Sequence, residues 1–308
     1  MIRRDKQPDV WHDSWLPLTD DITVQVLAEG QKMRVVVCDE PWLSELTGVG
    51  CISSSQAEQL HFNLQNAAQL EIYRLQTPSS PTISQTLLRV DMQSEARLQA
   101  CVITLGGEHV RNSIEVRMHG QGAEVEIGGL YLMDRDQQCD NYVFVEHAAP
   151  NCNSTELYKG ILDDAARGRF NGHVLVQEGA CKTNANQTSR GILLTDKAHI
   201  DARPFLEIYN DDVKCSHGST IGQLDADALF YMQTRGISQR TAMTMLSYAF
   251  CDEVVAMIGV EELRNTVADM VKKRLHGELT TSCDECAIKC SSPCNGADSN
   301  FVIDPSRL

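Results

Sequence analysis

The segment Ser113-Ile-Glu-Val-Arg-Met118 alternates apolar and polar side chains, and a glycine-containing turn separates it from a second such segment, Ala123-Glu-Val-Glu-Ile127. Other alternating segments lie at 70–75, 96–103, 142–145 and 173–176. Each is short and is bounded by Gly, Asn or Asp, as is typical of a strand between two turns. The sequence therefore predicts a mainly β region over residues 61–221.

The spacing of these segments bears on the architecture. Similar starts, each a turn followed by Ala or Val and an apolar residue, occur near Ala96, Ala123, Ala180, Ala198 and Val213. The intervals of about 15 to 57 residues are compatible with whole numbers of coils in a solenoid of stacked strands. A jelly roll or β-sandwich would show the same alternation, so the pattern alone leaves both architectures open.

Composition limits the class of protein. The 308 residues are 42% apolar and carry a formal charge of -15, which indicates a folded, acidic chain. No segment approaches the ~18 consecutive apolar residues of a membrane span. The first residues, MIRRDKQPDVWHDSW, lack the apolar core of a secretory signal, so we expect a cytoplasmic protein. Nucleic acid is disfavoured as a partner because its backbone rewards clustered Lys and Arg.

Residues on either side of the β region follow different patterns. Residues 1–60 contain all three tryptophans and strand-like stretches at 22–27 and 33–38, and we expect a short lead-in rather than an independent domain. Residues 222–279 change to the 3.6-residue period of helices. Residues 280–308 form a Cys-rich tail whose Ser, Asn, Gly and Pro content is typical of a flexible segment.

Capping residues divide the helical region into three helices. Asp225 and Ser238 are suited to begin the first two, and Gly236 suits the left-handed position that ends the first. The third, 261–276, begins with acidic residues and ends in Lys272-Lys-Arg274, which matches the helix dipole. The apolar faces are broad for three short helices, so we expect mutual packing plus a partner or the end of the β region to cover them.

Several catalytic signatures are missing from the sequence. We find no G-x-x-x-x-G-K-[ST] phosphate loop, no H-E-x-x-H and no G-x-S-x-G. Gly120-Gln-Gly122 lacks the third glycine of a dinucleotide fingerprint. The chain is therefore not expected to hydrolyse nucleotides by itself.

The run Cys215-Ser-His217 offers two potential metal ligands. On a strand, residues two apart point to the same face and lie ~7 Å apart along the backbone. A thiolate and an imidazole so placed can approach one metal ion or one edge of a cluster. The alternative is a buried cysteine beside a turn histidine, which carries no function.

The tail contains the spacing Cys283-x2-Cys286-x3-Cys290-x3-Cys294. Four thiols within twelve residues can close around zinc or an iron–sulfur cluster, although the spacing matches neither the ferredoxin run nor a two-knuckle zinc site. Free thiols on a flexible tail are the alternative. A zinc-binding interaction protein is therefore one open functional class.

Paired acids at Asp163-Asp164 and Asp211-Asp212 open a different class, a polysaccharide hydrolase or lyase built on a solenoid. Adjacent residues of a strand point to opposite faces, which makes them poor partners for acid–base catalysis. The alternative is a pair of solvated turns.

Ordered blocks over about 95–276 resemble a known family. They are His147-Ala-Ala-Pro-Asn-Cys-Asn-Ser-Thr-Glu-Leu-Tyr-Lys-Gly-Ile-Leu-Asp-Asp-Ala-Ala-Arg-Gly-Arg-Phe-Asn-Gly172, Ala185-Asn-Gln-Thr-Ser-Arg-Gly-Ile-Leu-Leu194, Pro204-Phe-Leu-Glu-Ile208, Asp211-Asp-Val-Lys-Cys-Ser-His-Gly-Ser-Thr-Ile-Gly-Gln-Leu-Asp225 and Leu229-Phe-Tyr-Met-Gln-Thr-Arg-Gly-Ile237. These blocks resemble the SufB/SufD family of iron–sulfur cluster assembly proteins. The turn at Cys215-Ser-His-Gly218 is SufD-like, and Arg190 stands where SufB carries a cluster-building cysteine.

The resemblance implies a right-handed parallel β-helix (a β-solenoid) followed by a C-terminal α-helical domain. It implies a non-catalytic scaffold that forms a heterodimer with a SufB-like subunit. A homodimer of this chain is the alternative that the sequence leaves open. His217, with Cys215 beside it, would meet a transient iron–sulfur cluster or iron at the SufB interface. The helical domain would dock a SufC-like ABC ATPase, which supplies the ATP hydrolysis. Candidate docking residues are Leu229, Phe230, Tyr231, Arg235, Met245 and Phe250.

The chain also departs from the pattern of the resembled family. Its members usually carry a longer helical region before the strands, and the Cys-rich tail is not part of the pattern. A reduced flavin is associated with the assembled complex of the family, whereas no flavin motif is visible in this sequence.

Overall fold

The computed structural model describes residues 23–38, 51–52, 58–77 and 83–276. These residues form fifteen strands and three helices. The strands are β1 (Thr23–Leu27), β2 (Lys32–Val37), β3 (Cys51–Ile52), β4 (Gln59–Leu64), β5 (Gln69–Gln76), β6 (Ile83–Met92), β7 (Arg97–Thr104), β8 (His109–Met118), β9 (Glu124–Met133), β10 (Gln138–His147), β11 (Asn153–Leu162), β12 (Arg167–Val176), β13 (Asn184–Leu193), β14 (His199–Ile208) and β15 (Lys214–Gly222). The helices are α1 (Ala226–Thr234), α2 (Gln239–Val255) and α3 (Glu261–His276).

The strands form two sheets that the chain visits in turn. One sheet has the order β1-β4-β6-β8-β10-β12-β14, and the other has the order β15-β13-β11-β9-β7-β5-β2-β3. Every pairing is parallel, and Gln138 of β10 lies opposite His109 on one side and Arg167 on the other. A chain that advances by one strand per circuit in each sheet is a β-solenoid, and parallel pairing excludes the antiparallel jelly roll and sandwich.

The register explains the uneven spacing in the sequence. The interval from Ala198 to Val213 joins the two sheets and is half a coil, whereas Ala123 to Ala180 spans two coils. The strands predicted at 22–27 and 33–38 correspond to β1 and β2, which pair with β4 and β5. The sheets therefore extend into the region expected to be a lead-in.

The solenoid interior is filled by alternate residues of every strand. In β10 the burial alternates strictly between half-buried and buried positions, and Val143 and Val145 point inward. Phe62 and Phe170 are fully buried in the same core. The turns before the strands repeat too, since Gly122 has φ +72° where the equivalent turns place Glu95 and Asn151 at φ near 60°. Only a residue in the left-handed region closes this turn.

Caps begin and end the helices as the sequence predicts. The Asp225 side chain accepts hydrogen bonds from two backbone N–H groups of α1, and that of Ser238 accepts one from α2. Gly236 follows α1 at φ +83°. The helix predicted over 261–276 matches α3. The fold is thus a parallel β-solenoid followed by three helices, as the resemblance implies.

The helices cover the outer face of the eight-stranded sheet. Leu130 and Leu132 of β9 belong to one apolar cluster with Val254 and Val255 of α2. The second halves of β7, β9 and β11 are therefore buried on both faces. The β region therefore covers part of the apolar faces of the helices, through a flank of long strands that includes Ile192 of β13, and the helices also pack on one another.

Two buried cations fasten the helices to the solenoid. Lys159 of β11 donates a hydrogen bond to the Phe250 carbonyl oxygen at 2.8 Å and pairs with Glu253. Arg274 of α3 pairs with Asp134 at 3.0 Å, and both side chains are 3% exposed. Arg274 therefore binds a carboxylate of the solenoid, beyond the dipole role that its position in the sequence predicts. Among the helices of the described ranges, none combines the length and the apolar character needed to cross a membrane.

Candidate functional site

The two sheets end at β14 and β15, which together form the open edge of the solenoid. β14 is paired with β12, and β15 with β13. Within the described residues no further strand covers either one. An edge strand presents unpaired backbone N–H and C=O groups, which makes it a template for another strand.

Cys215 and His217 lie on this edge. Both are on β15, where Cys215 is opposite Ala185 and His217 is opposite Gln187. Ala185 and Gln187 are buried in the solenoid interior, so the register places Cys215 and His217 on the inward face of the last coil. Because no coil follows in the described part, His217 is exposed and Cys215 is half-buried.

The surroundings of Cys215 favour its protonated form. Its side chain packs against the solenoid core, and this burial raises the pKa of the thiol, while a backbone hydrogen bond with Ala185 opposes the rise. The thiol therefore has to release a proton before it binds a metal, and affinity for a metal ion increases with pH.

A polar pair that the sequence reasoning missed lies behind the edge. Glu156 of β11 and Gln187 of β13 are 1% and 0% exposed, and the amide Nε2 of Gln187 donates to Glu156 Oε2 at 2.7 Å. Burial raises the pKa of Glu156 to about 8, although the Gln187 hydrogen bond opposes this. The signal was present in the sequence, because Glu156 occupies an inward position of an alternating strand, where an apolar residue is usual.

The six candidate docking residues fall into two groups. Phe230, Tyr231 and Met245 are 68%, 59% and 50% exposed. Arg235 is also exposed and lies over the Tyr231 ring at 5.2 Å. Leu229 and Phe250 instead pack within the chain. Leu229 is buried, and the Lys159 Nζ atom lies 4.6 Å from the centre of the half-buried Phe250 ring.

The paired acids have local partners in turns. Asp163 and Asp164 follow β11, and Asp163 Oδ1 accepts a hydrogen bond from the Asp164 N–H at 2.8 Å. Asp164 has φ +52°, as a turn residue does. Asp211 and Asp212 are exposed between β14 and β15. Asp211 and Asp212 therefore match the alternative of solvated turns, whereas Asp163 lies in a turn but is only 4% exposed.

The tail cysteines were the other group predicted to bind a metal ion. Cys283, Cys286, Cys290 and Cys294 lie outside the described residues, so the tail metal site stays a prediction. In the described ranges no three His, Cys, Asp or Glu side chains are grouped to hold a metal ion. A small cavity beside Ile72 and Asn112 measures about 10 Å³, room for one water molecule.

Comparison with known proteins agrees with this architecture. Residues 26–250 match the family model described as SUF system FeS cluster assembly, SufBD core domain. The chain is 37% identical over 173 residues to the iron–sulfur cluster assembly protein SufD of Escherichia coli, a match that covers 56% of this chain and 41% of that protein. It is 31% identical over 231 residues to an iron–sulfur cluster assembly SufBD family protein of Mycobacterium leprae, covering 72% of this chain and 59% of the relative.

A third relative extends the comparison. SufD of Bacillus subtilis is 30% identical over 145 residues, which cover 47% of this chain and 33% of that protein. The chain thus spans between a third and three-fifths of the length of these relatives. The family model nevertheless covers well over half of the chain, from β1 into α2. The chain therefore belongs to the SufBD family of iron–sulfur cluster assembly proteins.

Proposed function

We propose that this chain is a non-catalytic, SufD-like scaffold subunit that pairs with a SufB-like subunit and a SufC-like ABC ATPase in cytoplasmic iron–sulfur cluster assembly. The observation that carries the proposal is the open edge, where a thiol and an imidazole share one face of β15, the last strand of its sheet among the described residues. The chain belongs to the SufBD family of iron–sulfur cluster assembly proteins, so the ligand we expect at this edge is iron or an iron–sulfur cluster.

The open edge supports pairing with a second solenoid. β14 and β15 offer two parallel rows of backbone groups, and strand addition to such rows is a common mode of protein association. On the outer face an aromatic stack runs to the same edge, since the His173 ring lies 5.2 Å from Phe144 and 5.0 Å from Phe205. Phe205 is 54% exposed on β14, so a partner strand would bury it. We take the SufB-like subunit as the partner, and a homodimer is the competing outcome.

His217 and Cys215 would act as ligands of a nascent cluster at that interface. An imidazole ligates iron as a neutral donor, and its proton affinity near neutral pH makes it a ligand that is readily displaced. Such a ligand suits a site that builds a cluster and then releases it. Arg190 stands in place of a thiol on β13, so the principal thiolates would come from the SufB-like subunit.

The exposed apolar residues of the helices support docking of the ATPase. Phe230, Tyr231 and Met245 present large apolar surfaces on α1 and α2. Aromatic residues are enriched among the residues that contribute most to protein interfaces. ATP hydrolysis would take place on the SufC-like subunit and would act on this chain through these helices.

Co-expression with SufB-like and SufC-like subunits tests the assembly. We expect the three chains to co-purify, and failure to do so would refute the scaffold proposal. Phe230→Ala should weaken retention of the SufC-like subunit without lowering stability, whereas Leu229→Ala should lower the stability of this chain, since Leu229 is buried.

His217→Ala tests the proposed ligand. We expect the complex to assemble normally and to form less cluster in anaerobic reconstitution with iron and sulfide. Ser219→Ala is the matched control, because Ser219 lies two residues further along the same face of β15. Equal cluster yield from both variants would show that His217 is not a ligand of the cluster.

A further inference from the structure

Glu156, Gln187 and His217 form one row across three neighbouring strands. Glu156 lies opposite Gln187 in the β11–β13 pair, and Gln187 lies opposite His217 in the β13–β15 pair. Strands are spaced 4.7–4.9 Å apart, so the backbone positions of Glu156 and His217 are about 10 Å apart. The row leads from the interior of the solenoid to the open edge.

Glu156 has few partners inside the solenoid. Its Oε2 accepts from Gln187, while its Oε1 and the Oε1 of Gln187 have no hydrogen-bond partner among the described residues. The amide of Gln187 is held close to β12, where a Cβ at Gly172 would lie 2.2 Å from Nε2. No ion pair with Glu156 is found in the part of the chain that the structure describes, although buried carboxylates are usually paired.

The titratable neighbours do not supply a positive charge. Tyr158, two residues further on the same strand, is buried, and its pKa lies well above the usual value because burial disfavours the phenolate, to which the Glu156 charge adds. His147 of β10 binds Ser154 through Nε2 at 2.9 Å, and burial lowers its pKa to about 4. Both groups are therefore neutral at pH 7. The polar element packed between Glu156 and the edge is the Gln187 amide.

We propose that Glu156 is the buried counter-charge of a divalent cation held on the open edge, neutral while the edge is empty and ionised once the cation binds at His217. This inference rests on the proposed function, since it takes iron as the cation. The step breaks the O–H bond of the carboxylic acid, leaves a carboxylate and releases one proton to solvent. It needs neither an oxidant nor a reductant. Glu156 acts as a positioning residue and does not touch the metal.

The size of the effect follows from the spacing. At an effective dielectric constant of about 20, attraction between a dication and a carboxylate about 10 Å apart raises affinity roughly 250-fold. The same interaction lowers the pKa of the carboxyl by about 2.4 units. Because the pKa of Glu156 without cation is about 8, ionising it at pH 7 costs about tenfold in affinity. The net gain at pH 7 is on the order of 20-fold.

Calorimetric titration with Fe²⁺ under anaerobic conditions tests the inference on the complex of this chain with its SufB-like partner. Titrations in two buffers of different ionisation enthalpy give the protons released per iron. We expect Glu156→Gln to bind Fe²⁺ about 20-fold more weakly than the unsubstituted chain at pH 7. For each Fe²⁺ bound, this variant should release about 0.9 fewer protons than the unsubstituted chain at pH 7 and about 0.5 fewer at pH 8.

Two further variants separate charge from structure. Glu156→Asp keeps the carboxyl group and should retain most of the extra proton release. Glu126→Gln removes an exposed carboxylate from the outer face of β9 in the same sheet and should leave both quantities unchanged. If Glu156→Gln does not fold, Glu156→Asp carries the test, and loss of the extra proton in that folded variant would overturn the inference.

The outcomes distinguish this inference from the proposed function. If His217→Ala binds Fe²⁺ as tightly as the unsubstituted complex, the proposed edge site is refuted and the inference falls with it. If binding depends on His217 but Glu156→Gln matches the unsubstituted complex in affinity and proton release, the inference alone is refuted. Weaker binding with a proton difference that shrinks from pH 7 to pH 8 supports it.

Discussion

Replacing Asp134 by Ala should cost the fold about 3–5 kcal/mol, because it leaves a buried guanidinium without its carboxylate. Arg274 donates to the two oxygens of Asp134 at 3.0 and 3.2 Å, and its Nε donates to the Leu105 carbonyl oxygen at 3.1 Å. Both side chains of the pair are 3% exposed, so water does not replace the lost partner. Most of the penalty comes from removing the carboxylate that faces this buried charge, and the loss of the hydrogen bonds between α3 and the turn after β9 is a smaller part of it.

Urea unfolding followed by far-UV circular dichroism measures the effect. The midpoint should fall while the slope m is unchanged, which identifies a change in stability of the native state. Asp269→Ala is the matched control on the same helix, since Asp269 pairs with Lys272 at 3.5 Å and is 70% exposed. Exposed pairs contribute 0.2–1 kcal/mol, so this variant should remain within about 1 kcal/mol of the unsubstituted chain.

The double variant Asp134→Ala, Arg274→Met decides the mechanism. It removes both charges, so it should recover at least half of the stability lost in Asp134→Ala alone. An Asp134→Ala protein within about 1 kcal/mol of the unsubstituted chain at equal m would refute the reasoning. So would a double variant that is less stable than the single one, because the cost would then lie in packing and not in charge.

Three other predictions concern the solenoid interior. Gly160→Ala should cost about 1–3 kcal/mol in urea unfolding, because its Cβ would lie 2.2 Å from the Tyr131 ring. Gly218→Ala, with no atom within 4 Å of the added Cβ, should stay within about 0.5 kcal/mol, and equal losses would contradict this account. Because burial raises the pKa of Glu156 from 4.5 to about 8, the native state keeps a proton that the unfolded chain releases. The contribution of Glu156 to the free energy of unfolding therefore falls as the pH rises from 4.5 to 8, by up to roughly 5 kcal/mol. If the urea midpoint of a Glu156→Gln chain depended on pH in the same way as that of the unsubstituted chain, this prediction would be excluded. Burial lowers the pKa of His147 from 6.5 to about 4, so its contribution falls as pH decreases from 6.5 to 4. His147→Gln should remove up to roughly 3 kcal/mol of that acid sensitivity, and an unchanged midpoint profile would refute it.

The strands were predictable where one face meets the core and the other meets water. Ser113-Ile-Glu-Val-Arg-Met118 alternates for this reason and lies wholly in β8. The segment 123–127 predicts only the first half of β9, which continues to Met133. Its second half is apolar on both faces because the helices cover the outside, and so the alternation that marks a strand is lost.

Glycines inside that strand also concealed its length. Gly129 is close to the Tyr158 ring, since a Cβ there would lie 2.1 Å from it, and Gly128 is close to the side chain of Met257. A glycine pair in a sequence usually indicates a turn. Here both residues make room for side chains that come from other parts of the chain, and no local pattern reveals such contacts.

The candidate site, too, was only partly predictable from the sequence. Cys215 and His217 are two residues apart on one strand, so their common face follows from sequence alone. Glu156 and Gln187 reach the same row only through the register of β11, β13 and β15. That register depends on coil lengths, and the turns vary enough that the sequence does not fix them. Arg274 is a similar case, because its partner Asp134 lies 140 residues away.

The helical domain and the open edge are connected through the same few strands. Glu253 of α2 pairs with Lys159 of β11 and lies 3.7 Å from Arg190 of β13, the strand that pairs with β15. Ile161 and Ile192 of these two strands share one apolar cluster with Val254. A packed cluster of this kind resists bending, because interiors are as dense as organic crystals and have low compressibility. A partner that binds the exposed side of the helices would therefore move them together with β11 and β13, and the edge strand that carries Cys215 and His217 would follow as part of the same sheet.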